Sequence, residues 1–480
     1  MRARFTWLFP LLKSMPLPRL FATGVLIGVV WYSRYHIFFW DTISQASVRS
    51  HWFYEQGLRT LFLPPALDSG HPPLFNWYLA AGWSVFGRSL LTSHLLMLPF
   101  VCIVAWQLSR LIDYTRPTRP STRWLALVPL SDTTLIAQSS LVSTDMAMLA
   151  CTLTALNALL RAQQRWLTLA LIPLGLLSLR GLPAAAALAL FGWFFWHFSA
   201  NEEQHPSLRQ LFWPFFLAAC VWTTWYVAHY LHVGWWLSTP NPRWTEHRHL
   251  TGLAGIMWNA GITAWRLIDY GRIGYWLILL IWLLSHSRGT SLQWWLRQPL
   301  PLFAMCFLLV HAIAMWPMSN PITHRYFLPI LVVMPLWVAQ LLWQHSSKRW
   351  GRIGLVWLLA LLLSGHYWVY PRGIAQGWDG TTAHWPWYEL RTQMLAYIQD
   401  QGINWHEIGT RFPNAGPFDK LDLSDRKEGI PLVDWTQHRY VFYSNVMNDF
   451  SDEELAHLDT LPRLHQLQKG AICVVLYQIK

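Results

Sequence analysis

Charge is scarce in this 480-residue chain. Asp, Glu, Lys and Arg together make up 12%, about half the ~25% of a soluble globular domain. With 54% hydrophobic residues, that shortage excludes an ordinary soluble domain. Cysteine is scarce too. Cys102, Cys151, Cys220, Cys306 and Cys473 have no spacing that suits zinc or a disulfide framework. Four of them fall in apolar segments, so they are expected as buried thiols. No HExxH, Walker or GxSxG stretch occurs, which removes zincin, P-loop and α/β-hydrolase chemistry. There is no internal repeat and no low-complexity segment. The basic N-terminus has no small-residue cleavage site before Asp41, so an uncleaved first membrane helix is expected, not a signal peptide. No soluble basic module is present, so nucleic acid is not an expected partner.

What the chain does have is long apolar runs and 34 Trp, the pattern of a multi-pass helical membrane protein with interfacial aromatic anchors. The net charge is +12 and unevenly spread. From Pro371 onward there are 14 acids against 10 Lys/Arg, so −4, which leaves +16 before it. The positive-inside trend places the N-terminus in the cytoplasm. About eleven spans are expected: Leu20–Phe39, Ser89–Ile112, Trp124–Leu141, Met146–Leu160, Trp166–Leu179, Leu182–Phe198, Leu211–Leu231, Ile273–Leu284, Pro299–Trp316, Tyr326–Trp343 and Ile353–Tyr370. Residues 40–89 form a long first outer loop, with Leu74–Phe86 too short to span ~20 residues and so laid at the interface. A second outer loop, Gly234–Arg272, carries the run Arg243–His249.

The expected fold class is therefore an all-α polytopic membrane domain, 1–370, plus a small exported soluble α/β domain, 371–480. In the latter, helices are expected over Trp387–Gln401 and Ser451–Leu461, and strands over Arg439–Ser444 and Ala471–Ile479. The expected location is a plasma (bacterial inner) membrane, with the C-terminal domain periplasmic or extracellular.

The stretch Trp40–Trp77 organises the chemistry. Asp41 stands at the mouth of the first span, where a carboxylate beside hydrocarbon is costly and calls for a reason. The plain reading is an ion pair with Arg34 or Arg49; the sharper one is a catalytic acid. Asp68 either starts a turn or binds substrate. His71 precedes Pro72-Pro73, which fix the backbone and could aim the imidazole. Asp145 follows Ser143-Thr144 at a second outer turn and either caps a helix or shares the work of Asp41. Arg180, Arg266, Arg272 and Arg325 are all expected at the outer level, against the positive-inside trend. Guanidinium groups there suit phosphate, or simply snorkel to lipid headgroups.

In order, Asp41, GHPPLFNWYLAAGWSVFG, LVSTDMAMLA, GLLSLRGLPAAAALALF and HRYFLPILVVMPL resemble the GT-C glycosyltransferases of the bacterial protein-mannosyltransferase and aminoarabinose-transferase type, over residues ~20–345. The resemblance implies a polyprenyl-phosphate sugar donor used on the outer face by an inverting mechanism. Asp41 matches the family's first-loop acid, His71-Pro72-Pro73 its Lys/His-Pro-Pro motif, Asp145 the acid of its second loop, and Arg325-Tyr326 its Arg-Tyr pattern. Arg180 stands where relatives carry a Lys before Gly. Thr42 and Gly70 stand where relatives often carry a second acid. No cofactor is expected, and a divalent metal is left open. The partners implied are the donor, membrane lipids, and a lipid, glycan or protein acceptor. The rival from another class is a transporter or lipid flippase, which would place ionisable groups near the bilayer midplane.

Overall fold

The computed structural model describes residues 17–115, 120–198, 208–237, 239–240, 245, 249–285, 291–319, 321–345, 348–447 and 449–479. Of the basic run Arg243–His249, only Thr245 and His249 lie among them. The chain is mainly helical. Among the described residues four helices are long and apolar enough to cross a membrane, or six if two sharply bent pairs each count as one span. Three shorter apolar helices, Leu17–Tyr32, Gln164–Leu177 and Pro299–Met315, and the helix Lys348–Ser364 pack with them.

One helix is central. Within residues 324–344, 89% of the most apolar 18-residue stretch is buried, and Leu331, Val332, Val333, Leu336, Val338 and Ala339 have no exposed surface. A helix apolar on every side belongs in the middle of a bundle. By contrast only 22% of the most apolar 18-residue stretch of Gln210–Val233 is buried, and Phe212, Trp213, Phe216 and Leu217 are exposed. Cys220 on that helix is exposed, contrary to expectation, because its helix packs on one side only.

Two expected elements take another form. Trp124–Leu141 is not one span but a 3-10 turn, Pro120–Ala126, then Leu127–Leu130 and Thr133–Ser139. Asp132 breaks it: its Oδ1 accepts from the N–H groups of Thr134 and Leu135 and so caps a new helix. That helix meets the next, Thr144–Leu160, at 117°. The second half of the Gly234–Arg272 loop is a helix, Leu253–Ile268, bent by 91° from Ile273–Ser285. The dense charge at the loop's start masked an amphipathic continuation.

The helix break at Asp132 is pinned to the bend before Ile273. Arg272, with no exposed side-chain surface, holds both oxygens of Asp132 through Nε at 2.6 Å and Nη2 at 2.9 Å. It also donates to Thr134. A planar guanidinium matched by a carboxylate in this way satisfies both charges at once.

The C-terminal region forms a four-stranded sheet. Strands β1 (Ile408–Thr410), β2 (Tyr440–Ser444), β3 (Arg463–Lys469) and β4 (Ile472–Gln478) lie in the order β1-β2-β4-β3. The β1/β2 pair is parallel and the others antiparallel. Helix Trp385–Asp400 packs its buried Trp387, Met394 and Ile398 against Ile408, Phe442 and Leu476. Ser451 and Glu454 form a capping box on Asp452–Thr460. The same apolar cluster contains Phe39 and Leu141. Phe38 N–H donates to Leu421 O at 2.8 Å, and Ser47 Oγ to Lys420 O at 2.6 Å. The first loop and the C-terminal region thus share one core.

Asp132→Ala would strand the Arg272 charge in the interior, a loss of about 3–5 kcal/mol. Its thermal midpoint in detergent should drop sharply, and Asp132→Ala with Arg272→Met should recover most of the loss. An unchanged midpoint in the single variant would refute the structural role given to this pair.

Candidate active site

The central helix opens with a 3-10 turn, His324–Phe327, which delivers Arg325 and Tyr326 to the end of the bundle. Arg325 is buried, and its three nitrogens face three carboxylates from distant parts of the chain. Nη2 donates to Asp41, Nη1 donates to Asp379 at 2.5 Å, and Nε lies 3.6 Å from Asp145. That last contact is an ion pair too long for a hydrogen bond, and Nε has no hydrogen-bond acceptor among the described residues. Arg180 donates through Nη1 to the other oxygen of Asp145 at 2.6 Å. The Tyr326 ring lies 4.2 Å from the Arg180 guanidinium and 5.5 Å from that of Arg325. Its face softens the repulsion between the two cations.

Each carboxylate is held differently. Asp41 sits in a turn locked by Thr42, whose hydroxyl donates to Phe39 O at 2.7 Å and accepts from Phe39 N–H at 2.9 Å. Trp40, just before it, has φ 55°, a conformation that costs a non-glycine residue about 1–3 kcal/mol and that clusters at functional sites. Asp41 remains 45% exposed on its side chain, so it is the acid open to a ligand. Asp145 is not the cap of its helix; Ser143 is, its Oγ accepting from Asp145 N–H at 3.0 Å. Asp379 lies in the turn Trp378–Gly380. Gln138 ties it to Asp145: its amide donates to Asp379 O at 2.9 Å, and its oxygen accepts from Ser143 Oγ at 2.5 Å. A Cβ on Gly377 or Gly380 would fall 3.0 or 2.9 Å from Nδ1 of His324. The close approach of this turn to His324 therefore requires glycine.

His71 reaches the same end of the bundle. Its Nδ1 accepts from Leu179 N–H at 3.2 Å and lies 3.0 Å from Ser178 Oγ. The ring proton therefore belongs on Nε2, and the imidazole is fixed to the turn that carries Arg180. Pro72 and Pro73 lead into the helix Leu74–Phe86.

The remaining candidates lie elsewhere. Asp68 is buried, with Oδ2 2.7 Å from His229 Nε2 and Oδ1 accepting from Gly70 N–H at 2.7 Å; it fastens the first loop to Leu208–Val233. Arg272 is spent on Asp132. Arg266 donates to Ile322 O at 3.3 Å and stands 4.0 Å from Asp269. Asp269 in turn is 2.8 Å from His324 Nε2 and accepts from the Tyr370 hydroxyl. Neither Arg34 nor Arg49 pairs with Asp41: Arg34 donates to Trp31 O at 2.7 Å, and Arg49 to Ser69 at 2.5 Å.

Two crystal structures of ArnT from Cupriavidus metallidurans align with the chain from end to end. One was solved bound to undecaprenyl phosphate (TM-score 0.52) and one in the apo state (TM-score 0.53). Each is 14% identical, over 95% of this chain and 97% of theirs. The chain has the fold of ArnT. At this identity the likeness is one of fold, and it agrees with the resemblance that the ordered motifs carry. No protein-family model matches the sequence, and no curated protein matches it.

The sequence reading missed Asp379. A signal was there: Trp378-Asp379 repeats the Trp40-Asp41 pair, and both follow an apolar segment at a short distance. Burial pushes the Asp379 carboxyl up to about 6, the charges of Asp41 and Asp145 push the same way, and Arg325 pulls against them. Between the ordinary value of 3.8 and about 6 the folded protein therefore holds a proton that the unfolded chain does not. The stability this group contributes is greatest at low pH and falls as pH rises through that window. The thermal midpoint of the wild type, taken relative to Asp379→Asn, should decline from pH 4.5 to 7. A flat or rising difference would contradict the raised value.

Proposed function

We propose that the chain is a membrane glycosyltransferase that moves a sugar from a polyprenyl-phosphate donor to an acceptor on the outer face, with inversion at the anomeric carbon and Asp41 as the base. The observation that carries the reading is a half-exposed Asp41 held on a buried arginine, beside a second arginine, at one end of a bundle with the ArnT fold. The ArnT structure solved with undecaprenyl phosphate supports the donor class.

The chemistry follows from the charge balance. Asp41, Asp145 and Asp379 against Arg180 and Arg325 sum to −1 when all are ionised. The acceptor hydroxyl or amine gives its proton to Asp41 as its lone pair attacks the anomeric carbon. The bond from that carbon to the phosphate oxygen breaks, and the phosphate leaves with the electron pair. Arg180 keeps guanidinium N–H groups beyond the one on Asp145 for that phosphate. Once Asp41 is neutral, Arg325 loses one counter-charge and its positive field turns toward the leaving group. Proton uptake and leaving-group stabilisation are thereby coupled. His71 braces the Arg180 turn, and Tyr326 separates the two cations. Arg325 brings positive charge to the point where the carboxylates converge, so the reading invokes no metal. Arg266 acts on the Asp269–His324 pair behind Arg325, while Asp68 and Arg272 support the scaffold.

With purified protein and polyprenyl-phosphate sugars, Asp41→Asn should lower turnover ~10²–10⁴-fold while donor binding and the thermal midpoint stay near wild type. Undiminished turnover would remove Asp41 as base. A chain that binds no polyprenyl-phosphate sugar would favour the transporter or flippase reading.

A further inference from the structure

A cavity of about 240 Å³ opens in the C-terminal region beside the Trp378 turn. Its walls include the rings of Tyr370, Trp378, Tyr443 and Tyr477, three of them (Trp378, Tyr443 and Tyr477) buried. Drug-sized ligands take pockets of ~300–1,000 Å³, so this one suits a single ring. Flat aromatic walls with polar groups between them fit the two kinds of surface on a sugar, its C–H faces and its hydroxyl edge.

The charge on the wall narrows the choice. Arg372, Asp459 and Arg463 all line the cavity. Arg372 pairs with Asp459 at 2.7 Å, and its guanidinium lies 4.9 Å from the centre of the Tyr443 ring. Arg463, opposite Tyr477 across the β3/β4 ladder, donates to the neutral Gln466 at 3.0 Å. Among the described residues no carboxylate lies within ion-pair distance of it. Asn445 on the same wall is spent on main chain, donating to Ala471 O and accepting from Cys473 N–H. The cavity therefore presents two guanidiniums to one carboxylate, a surplus of one positive charge against aromatic walls. A guanidinium not neutralised by the protein matches a carboxylate or phosphate on a ligand.

We propose that this cavity binds an anionic sugar unit, a hexose-sized ring bearing a carboxylate or a phosphate. The edges of Tyr443 and Tyr477 floor the site, and Arg463 holds the charge of the ligand, helped by Arg372. Two routes lead from the cavity to the Arg325 cluster. Trp378 is bonded directly to Asp379, and the Tyr370 hydroxyl donates to Asp269, which binds His324, the neighbour of Arg325. The cavity thus lies one turn away from the cluster, and binding there stands whether or not Asp41 is a base.

The test is direct binding to the full-length protein in detergent by calorimetry, with glucuronate, glucose 6-phosphate, glucose and inorganic phosphate as probes. At least one of the two acidic sugars should bind at least tenfold more tightly than glucose and than phosphate alone. Arg463→Gln, at an exposed position, should weaken that binding about tenfold or more. Asp459→Asn, which removes the one counter-charge, should strengthen it or leave it as it is. Equal affinity for glucose, or phosphate alone binding as well as the acidic sugars, would overturn the assignment. So would weakening by Asp459→Asn, Arg463→Gln binding like wild type, or no binding of either acidic sugar at millimolar concentration. Each readout is independent of glycosyl transfer, so failure here and failure of the Asp41 assignment are separable.

Discussion

A guanidinium cannot be left alone in a protein interior; the cost of an unpaired buried charge runs to several kcal/mol. The central helix nonetheless begins with Arg325, because the apolar run behind it must occupy the middle of the bundle. The fold answers with acids brought in from three places. Asp41 comes from the end of the first helix, Asp145 from the start of Thr144–Leu160, and Asp379 from the turn after the last apolar helix. Each of those segments is bent or locked where it delivers its acid. Trp40 takes a left-handed conformation, the chain turns by 117° before Asp145, and glycines flank the Trp378-Asp379 pair.

The same constraint explains why the C-terminal region sits where it does. If Asp379 is to reach Arg325, residues 376–384 must lie against Thr133–Ser139. Side-chain donors hold their carbonyls there: the Thr134 hydroxyl donates to Gly380 O at 2.7 Å, and the Gln138 amide to Asp379 O at 2.9 Å. Thr133–Ser139 is itself held by Arg272 through Asp132. Two buried arginine–carboxylate assemblies are thus stacked, one structural and saturated, the other left open at Asp41. Saturation separates them: Arg272 has its strong contacts satisfied inside the protein, whereas Arg325 keeps an Nε without an acceptor among the described residues and pairs with an Asp41 that is 45% exposed.

Much of this was legible in the sequence, and the parts that were not share a cause. The central helix, Leu74–Phe86 and the C-terminal helices and longer apolar strands follow from period and capping, which are local. Asp41, Asp145, Arg180 and Arg325 stood out because a charge at a membrane edge is costly wherever it falls. Asp379 is in a polar stretch, where an acid costs nothing, so its burial could come only from tertiary packing. Asp132 was hidden for the opposite reason: it lies inside an apolar run read as one span, and only its buried partner 140 residues away explains it. The strands β1 and β3 were missed because the first has three residues and the second is mostly exposed polar sequence.

The acids that the chain lacks now have a different meaning. Thr42 stands where the enzymes the sequence resembles often carry a second acid, and its hydroxyl closes the turn that presents Asp41. A glutamate there could not both accept from Phe39 N–H and donate to Phe39 O, because an ionised carboxylate has no proton to give. The turn would open, and Asp41 would lose its fixed approach to Arg325. Nor is the cluster short of negative charge without that acid, since Asp379 supplies it from the buried side. A carboxylate behind Arg325 steadies the guanidinium without competing for the open face. A carboxylate beside Asp41 would occupy that face and raise the cost of keeping both ionised. The arrangement leaves a single exposed carboxylate on a cation buttressed from within.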